Sequence, residues 1–380
     1  KGGTPWGGIS SDNKNGILYL TTGNAEPYLV GVKRPGKNLF TNSVIAFDIR
    51  NKKLLWYFQE TCHDLWNYDI AGPPILTTIN KYGKRIDVVV AVTKLGNTII
   101  LDRLTGELIF DFEKKIAPTS KFPGEKTCPY QPSVKIPEPF ARNEFNLDQV
   151  TNKSEKDNEY ILKQLKNSNY GFFPTYEINK PTITYGVWGG AQWPGASIDP
   201  YRNILYVTSN NFPHKWEVYN SFDINKNLEL KTNYYDMKSN QLKDLEGYPG
   251  VKPPWGTLTA LNLNSGKIIW QVPLGYFEEL KKRGFEDTGT LNFGGATATA
   301  GGIVFAAGTI DKLIRAFDAD TGKILWKYKL PYIGSAPPTI YEANGEQYII
   351  IPATGGLVLS FAYPDLVEQG DTFVAFKLKR

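Results

Sequence analysis

Cysteine, methionine and histidine are nearly missing from these 380 residues, which contain two Cys, one Met and two His. Two cysteines exclude a disulfide-built scaffold and a cysteine-rich zinc site. With only His63 and His214 a multi-histidine metal centre is excluded as well, so any metal must be held mainly by oxygen. No Cys-x-x-Cys-His occurs, so no c-type haem is attached. No Gly-x-Gly-x-x-Gly stands at a strand–helix junction, which disfavours a nicotinamide oxidoreductase. No apolar run reaches the roughly 18 residues that a membrane-spanning helix needs. A strong charge of one sign is also lacking: 43 basic and 38 acidic residues leave a net charge of +5, spread along the chain, and no nucleic-acid partner is expected. The opening Lys1-Gly-Gly-Thr-Pro-Trp6 is not a signal peptide and points to a removed leader or to a start inside a longer protein.

What is present is turn-forming and aromatic. The chain has 36 Gly, 25 Pro, 20 Phe, 22 Tyr and 9 Trp, and 41% of it is apolar, enough for a sizeable core. One pattern recurs: strand, polar turn, strand, aromatic. It runs through Ser43–Trp56, Asn97–Phe110, Leu258–Trp270 and Ile314–Trp326, with turn residues Asp48, Asp102, Asn262 and Asp318. The turn intervals are 54, 160 and 56 residues, and 160 is about three periods. An Asp/Asn-x-x-x-Gly turn joins two strands of alternating polarity, and the aromatic eight residues after the turn residue is placed to dock on the next unit. Such a hairpin cannot bury both faces alone, so the units must stack. Two hairpins per roughly 55 residues make a four-stranded blade, and the expected architecture is an all-β propeller with about five or six blades in one domain over residues 1–380. Residues 114–185, with eight prolines, and 213–255 break the rhythm and read as loop excursions, either surface loops or substrate lids. The best helical stretch, Glu144 to Lys166, is polar and looks inserted.

Four clusters carry chemistry. Thr4-Pro-Trp-Gly-Gly8 offers a Trp ring with little steric cover, or a plain core Trp. Thr21-Thr-Gly-Asn24 ends a strand with an amide that suits a hard cation, or simply a turn. Cys62-His-Asp-Leu-Trp-Asn-Tyr-Asp69 packs five polar or ionisable groups into eight residues, and a loop held by Asx hydrogen bonds is the alternative. Thr93-Lys-Leu-Gly-Asn97 sets Lys94 between two apolar strands, either facing an anionic ligand or solvated.

Taken in order, these motifs resemble the pyrroloquinoline quinone (PQQ)-dependent quinoprotein dehydrogenases. Trp-Gly-Gly, Thr-Gly-Asn, Arg34-Pro-Gly-x-Asn38, His63-Asp-Leu-Trp66, Thr93-Lys-x-Gly96 and Leu101-Asp-Arg-x-Thr-Gly106 follow one another as they do in that family. Gly294-Gly-x-x-x-Thr-Ala-Gly301 and Gly370-Asp-x-x-Val-Ala-Phe376 continue the match. The Thr-Lys-x-Gly motif is similar to the glucose and polyol branch, where methanol dehydrogenases carry an arginine.

The resemblance implies a set of roles. Trp6 matches the floor beneath the quinone, Asn24 a calcium ligand, and Lys94 the cation at the quinone oxygens. Gln192, Trp193, Asn292 and Phe293 match positions close to the cofactor. It also implies oxidation of a small alcohol, polyol or aldose in the periplasm, with metal acting as Lewis acid on PQQ. A carboxylate takes the hydroxyl proton, and electrons pass to ubiquinone or a cytochrome.

Two departures stand out. Where the family carries its catalytic aspartate this chain has Asn67, an amide that can bind a metal or orient a hydroxyl but cannot act as a base. Asp69 and Asp64 are the remaining loop carboxylates, and Asp69 matches a position that some members use to bind a lanthanide in place of calcium. The chain also looks like the C-terminal two-thirds of an eight-bladed protein, so N-terminal blades or a companion chain are expected to close the ring. In an oxidising compartment Cys62 and Cys128 can pair, or Cys62 can serve the loop. The competing reading is a non-catalytic propeller scaffold, such as an outer-membrane assembly lipoprotein, built from the same repeat.

Overall fold

The computed structural model describes residues 2–220 and 235–378. Its repeating unit starts from one side chain. Asp48 Oδ1 accepts the N–H groups of Arg50 and Asn51, and Asp318 Oδ1 those of Asp320 and Thr321. Asp102 and Asn262 do the same for the residues two and three further on. The turn then closes through a left-handed residue: Gly106, Gly266 and Gly322 at φ 74°, 73° and 71°, with Lys52 at 52° in the glycine-less copy.

Among the described residues five antiparallel sheets follow along the chain as blades. The first comprises Ile9–Asp12, Ile17–Thr21, Ser43–Asp48 and Lys53–Gln59. The second has Ile75–Lys81, Lys84–Val92 and Thr98–Asp102, and its fourth strand is reduced to a bridge between Leu101 and Leu108. The third is Ala196–Asp199, Ile204–Asn210, Gly256–Asn262 and Lys267–Pro273; the fourth is Ala296–Ala298, Ile303–Ala306, Leu313–Asp318 and Ile324–Lys329. The fifth has Thr339–Ala343, Glu346–Ala353 and Thr372–Lys377. Register shifts recur at one place, Ala46/Phe47, Ala260/Leu261 and Ala316/Phe317, just before the repeat turn.

The blades pack through the repeat aromatic. A Cβ on Gly106 would lie 2.6 Å from the Trp56 ring of the preceding blade, and one on Gly322 would lie 2.8 Å from Trp270, whose Nε1 donates to Ala319 O. Phe110 meets Gly266 in the same way. Val88, Val90 and Ile100 of the second blade share an apolar cluster with Leu205, Val207 and Leu261 of the third. The turns at 102 and 262 therefore belong to neighbouring blades. The 160-residue interval is one blade step plus two excursions, and the reading of about three periods is corrected. Trp326 stacks on Tyr328, meets Phe376 edge to face and stays 38% exposed. Among the described residues no apolar cluster joins the first blade to the fifth.

The first excursion and the described residues of the second are parts of the fold. The first contains the hairpin Lys114–Ile116 with Tyr130–Pro132, and the helix Glu155–Leu165. That helix is capped by Ser154, which accepts the Asp157 N–H, and it buries Ile161 and Leu165. Of the second excursion, residues 221–234 lie outside the described residues. His214–Asn220 pairs with Tyr235–Gln241 and with Thr182–Thr184. Trp216, Val218 and Met237 pack there against Leu65, Trp66, Tyr68 and Leu95, so both excursions cover the loops that carry the candidate residues. No helix among the described residues is long and apolar enough to cross a membrane.

Candidate functional site

The site is shaped by the loop that follows the first blade's outer strand. Buried Asp64 ties this loop: Oδ1 accepts the Trp66 N–H, and Oδ2 accepts the Tyr68 N–H and the Asn42 amide. Burial, with the nearby Asp69 charge, pushes its carboxyl above the usual range, against these hydrogen bonds. Arg34 of the Arg-Pro-Gly-x-Asn motif holds the loop from below, donating to Asp64 O at 2.6 Å and to Asn38 Oδ1 at 2.5 Å. Trp66 and Tyr68 enter the core, with Trp66 Nε1 donating to Pro174 O. Asn67, at φ 63°, and Asp69 project to the other side. Asp64 is thus the Asx anchor of the loop and not one of the projecting groups, which removes it from the catalytic candidates.

Lys94 meets those two residues. It sits on the Thr93–Asn97 turn after strand Lys84–Val92 and is 4% exposed, which rules out the solvated-lysine reading. Its Nζ donates to Asn67 Oδ1 at 2.7 Å and to Asp69 Oδ2 at 2.5 Å. Asp69 Oδ1 accepts the Asn24 N–H at 2.8 Å, and Asn24 Oδ1 accepts the Asn67 amide at 3.1 Å. Asn24, Asn67, Asp69 and Lys94 form one closed hydrogen-bonded cluster.

Glycines bring the walls close. A Cβ on Gly23 would lie 2.7 Å from Asp69 Oδ1 and 2.8 Å from Trp6 Nε1, so Trp6 stands directly beside the cluster. Trp6 is 46% exposed, which overturns the core-Trp alternative, and its ring lies 6.3 Å from that of Trp193 at 52°. Gly190 backs onto the Lys94 carbonyl, and Ala191 N–H donates to Thr93 O, which brings the 190–193 segment to the same place.

Gln192 is buried there, its amide donating to Gly189 O. Phe293 forms a second layer, stacked on Trp193 at 4.8 Å and 18°. Asn292 is committed elsewhere: its amide nitrogen donates to Ser209 O and Asn210 Oδ1, and its N–H also donates to Asn210 Oδ1. Its side chain holds blade to blade and is taken out of the cofactor-facing set.

One pairing left open by the sequence is made here, and two further features have no counterpart in the sequence reading. Cys62 and Cys128 form a disulfide, with Cα atoms 6.0 Å apart. Beside it His63 Nε2 faces Glu125 Oε1 at 2.8 Å and Nδ1 faces Gly36 O at 2.6 Å, while Gln131 makes two hydrogen bonds to the Cys62 backbone. Burial raises the Glu125 carboxyl, but His63, the Gly31 N–H and Arg34 outweigh it and hold it below the usual range. His214 stands among Trp188, Phe212 and Trp216, buried, its Nδ1 without a partner among the described residues. Burial, with a contribution from Lys94, holds its pKa at about 3. A lone His in an aromatic strand or a Glu in a proline-rich segment has no spacing that announces such contacts.

The side-chain donors suit a hard cation and a flat anionic ligand. Asn24, Asn67 and Asp69 present only oxygens in hard-ligand chemistry, Lys94 supplies one positive charge, and the half-open Trp6 ring supplies a stacking face. Three such residues supply only part of the six to eight oxygens that calcium takes. Among the described residues no group of three or more His, Cys, Asp or Glu could hold a metal, so the amides are essential to this set.

The family described as "PQQ: Glucose/ethanol/alcohol dehydrogenase, beta-propeller domain" matches residues 1–349. The chain is 31% identical over 397 residues to the glycerol dehydrogenase large subunit of Gluconobacter oxydans, across 93% of this chain and 52% of that relative. It is 30% identical to quinoprotein glucose dehydrogenase A of Acinetobacter calcoaceticus, across 98% and 49%. The chain spans about half the length of the curated relatives it matches, less than the two-thirds expected. The quinohemoprotein alcohol dehydrogenase of Comamonas testosteroni superposes with a TM-score of 0.67 at 23% identity, covering 99% of this chain and 48% of that one. A europium-containing methanol dehydrogenase superposes with 0.66 at 20% identity, covering 99% and 60%. These two likenesses bear on the fold.

Proposed function

Because the chain belongs to the PQQ glucose/ethanol/alcohol dehydrogenase family, matched over residues 1–349, we propose that it carries the cofactor-facing part of a quinoprotein dehydrogenase. Its substrate is a small alcohol, polyol or aldose, converted to the carbonyl product. The observation that carries this reading is the cluster of Lys94, Asn67, Asp69 and Asn24 beside the exposed Trp6 ring.

Trp6 binds the flat face of the cofactor and Trp193 closes its edge. Lys94 Nζ neutralises charge on the cofactor's oxygens, and Asn24, Asn67 and Asp69 hold the metal, calcium or a lanthanide, through their side-chain oxygens. PQQ, when bound, supplies the two-electron acceptor that takes hydride from the substrate carbon. Asp69 Oδ2 receives the substrate's hydroxyl proton, since Asn67 cannot, and Lys94 at 2.5 Å stabilises the carboxylate until then. Asn67 orients the hydroxyl. Gln192 steadies the 190–193 segment against Lys94.

Electrons leave to ubiquinone or a cytochrome. The Cys62–Cys128 disulfide supports an oxidising compartment, in keeping with a periplasmic setting. Further blades, on the same chain or a companion, complete the ring and the metal's ligand shell. The amide at position 67 favours one other reading, a propeller that has kept the pocket but lost turnover and serves as a binding scaffold.

The test is reconstitution of the chain with PQQ and calcium or lanthanum, followed by dye-coupled oxidation of an alcohol and sugar panel. Metal-dependent turnover that Asp69→Ala abolishes supports the dehydrogenase. Tight PQQ binding without turnover supports the scaffold, and absence of PQQ binding with the completing blades present overturns both.

A further inference from the structure

Glu60 follows the first blade's outer strand and is buried beneath the turn that bears Lys94. Its Oε1 accepts two hydrogen bonds, from Thr93 Oγ1 at 3.0 Å and from the Asn97 amide at 2.9 Å, so it holds both ends of that turn at once. The turn is otherwise closed by Thr93 N–H to Asn97 O and Gly96 N–H to Thr93 O. Glu60 Oε2 and Asn97 Oδ1 are both among the buried oxygens that lack a partner in the described residues, and they belong to the two side chains already joined by one hydrogen bond. A single proton on the carboxyl supplies the donor this acid–amide pair lacks.

We propose that Glu60 is a positioning residue: an un-ionised acid paired with the Asn97 amide, it holds the Thr93–Asn97 turn so that Lys94 faces Asn67 and Asp69. Burial lifts its carboxyl to about 8, against the Asn97 and Thr93 bonds, and the Asp64 charge on the following loop adds to the shift. The charged groups near it are Asp64 and, on the turn itself, Lys94, whose Nζ is turned to Asn67 and Asp69. Above that pH a second buried negative charge forms under the turn, and its hold on Asn97 changes from acid–amide pairing to a one-sided acceptor. The consequence for cofactor affinity rests on the PQQ reading of the site, whereas the protonation of Glu60 and its grip on the turn do not.

Two measurements on the unliganded full chain test this. The first is the infrared difference spectrum between wild type and Glu60→Gln, at about pH 6.5 and about pH 9.5. The second is amide exchange of residues 93–97 over the same range, corrected for intrinsic rates. The expected results are an acid carbonyl band at the lower pH that is lost at the higher. Exchange protection should fall about tenfold with pH in wild type, remain constant in Glu60→Gln, and be lost at both pH values in Glu60→Ala. No acid band at the lower pH, or Glu60→Gln losing protection there as Glu60→Ala does, overturns the proposal. If Glu60→Ala does not fold, the band and Glu60→Gln still decide. PQQ titration of the same proteins separates the two claims. Affinity that falls above about pH 8 in wild type but not in Glu60→Gln supports both, and no PQQ binding in any form with the band present overturns only the PQQ reading.

Discussion

Lys94 Nζ stands 2.5 Å from Asp69 Oδ2, and each side chain is about 5% exposed. The pair is completed by the Asn24 N–H on the other carboxylate oxygen and by Asn67 Oδ1 on the ammonium. Two charges are withdrawn from water here only because each is met by the other and by hydrogen bonds. Removing Lys94 as Lys94→Met should cost about 3–5 kcal/mol, because an unpaired carboxylate stays buried. Adding Asp69→Asn, which keeps the acceptor for the Asn24 N–H, should recover part of the loss. Urea unfolding of the two variants measures this, and equal stabilities would contradict it.

Asn67 takes the position opposite Lys94 at which a carboxylate would be a base. In protein reconstituted with PQQ and metal, Asn67→Asp should raise turnover at least about tenfold, equivalent to about 1.4 kcal/mol of barrier. Asp69→Ala should abolish both turnover and metal dependence. Steady-state kinetics with a dye acceptor check the pair.

The Cys62–Cys128 disulfide fastens the proline-rich excursion to the loop that presents Asn67 and Asp69, with His63–Glu125 beside it. Replacing both cysteines with serine should lower stability by about 2–4 kcal/mol and open the segment around Glu125 to protease. Denaturant midpoints and limited proteolysis read these effects.

Blade stacking depends on a ring lying against a glycine. Gly322→Ala places a Cβ 2.8 Å from Trp270 on a residue at φ 71°, whereas Gly83→Ala, at φ 72°, meets nothing within 4 Å. Both carry the backbone strain of about 1–3 kcal/mol, and only Gly322→Ala adds the ring clash. Its unfolding midpoint should therefore fall further.

Two buried groups set opposite pH limits. The His214 pKa is lowered from 6.5 to about 3, so the unfolded chain binds more protons in that window and stability falls as pH drops through it. The Glu60 carboxyl is raised from 4.5 to about 8, so the folded chain binds more protons there and stability falls as pH rises through that window. Thermal midpoints should flatten on the acid side in His214→Phe and on the alkaline side in Glu60→Gln.

The sequence disclosed what is local. The repeat turn is visible because Asp48 or Asp318 bonds to N–H groups two and three residues on, and the aromatic partner lies eight residues away. Blade count over the 160-residue interval is not legible, since it takes the contact of Phe110 with Gly266 and the apolar cluster shared by the two blades to show that those turns are neighbours. The Trp6, Asn24, Asn67, Asp69 and Lys94 group could be read from ordered motifs, and the geometry joins them. The commitments of Asp64 and Asn292 are not legible, because a polar residue in a motif does not reveal whether its side chain faces a ligand or the backbone. Glu60, Glu125 and His214 depend on partners 33 or more residues away, or on packing, and no spacing encodes that.

The most direct measurement is equilibrium binding of PQQ to the chain with calcium or lanthanum present, followed by tryptophan fluorescence in wild type, Trp6→Phe, Lys94→Gln and Asp69→Ala. The account predicts saturable, metal-dependent quenching in wild type. Quenching amplitude should drop in Trp6→Phe, affinity should fall at least about tenfold in Lys94→Gln, and the metal dependence should vanish in Asp69→Ala. Binding that is indifferent to all three substitutions, or no binding by the wild-type chain joined to the rest of its protein, would contradict it.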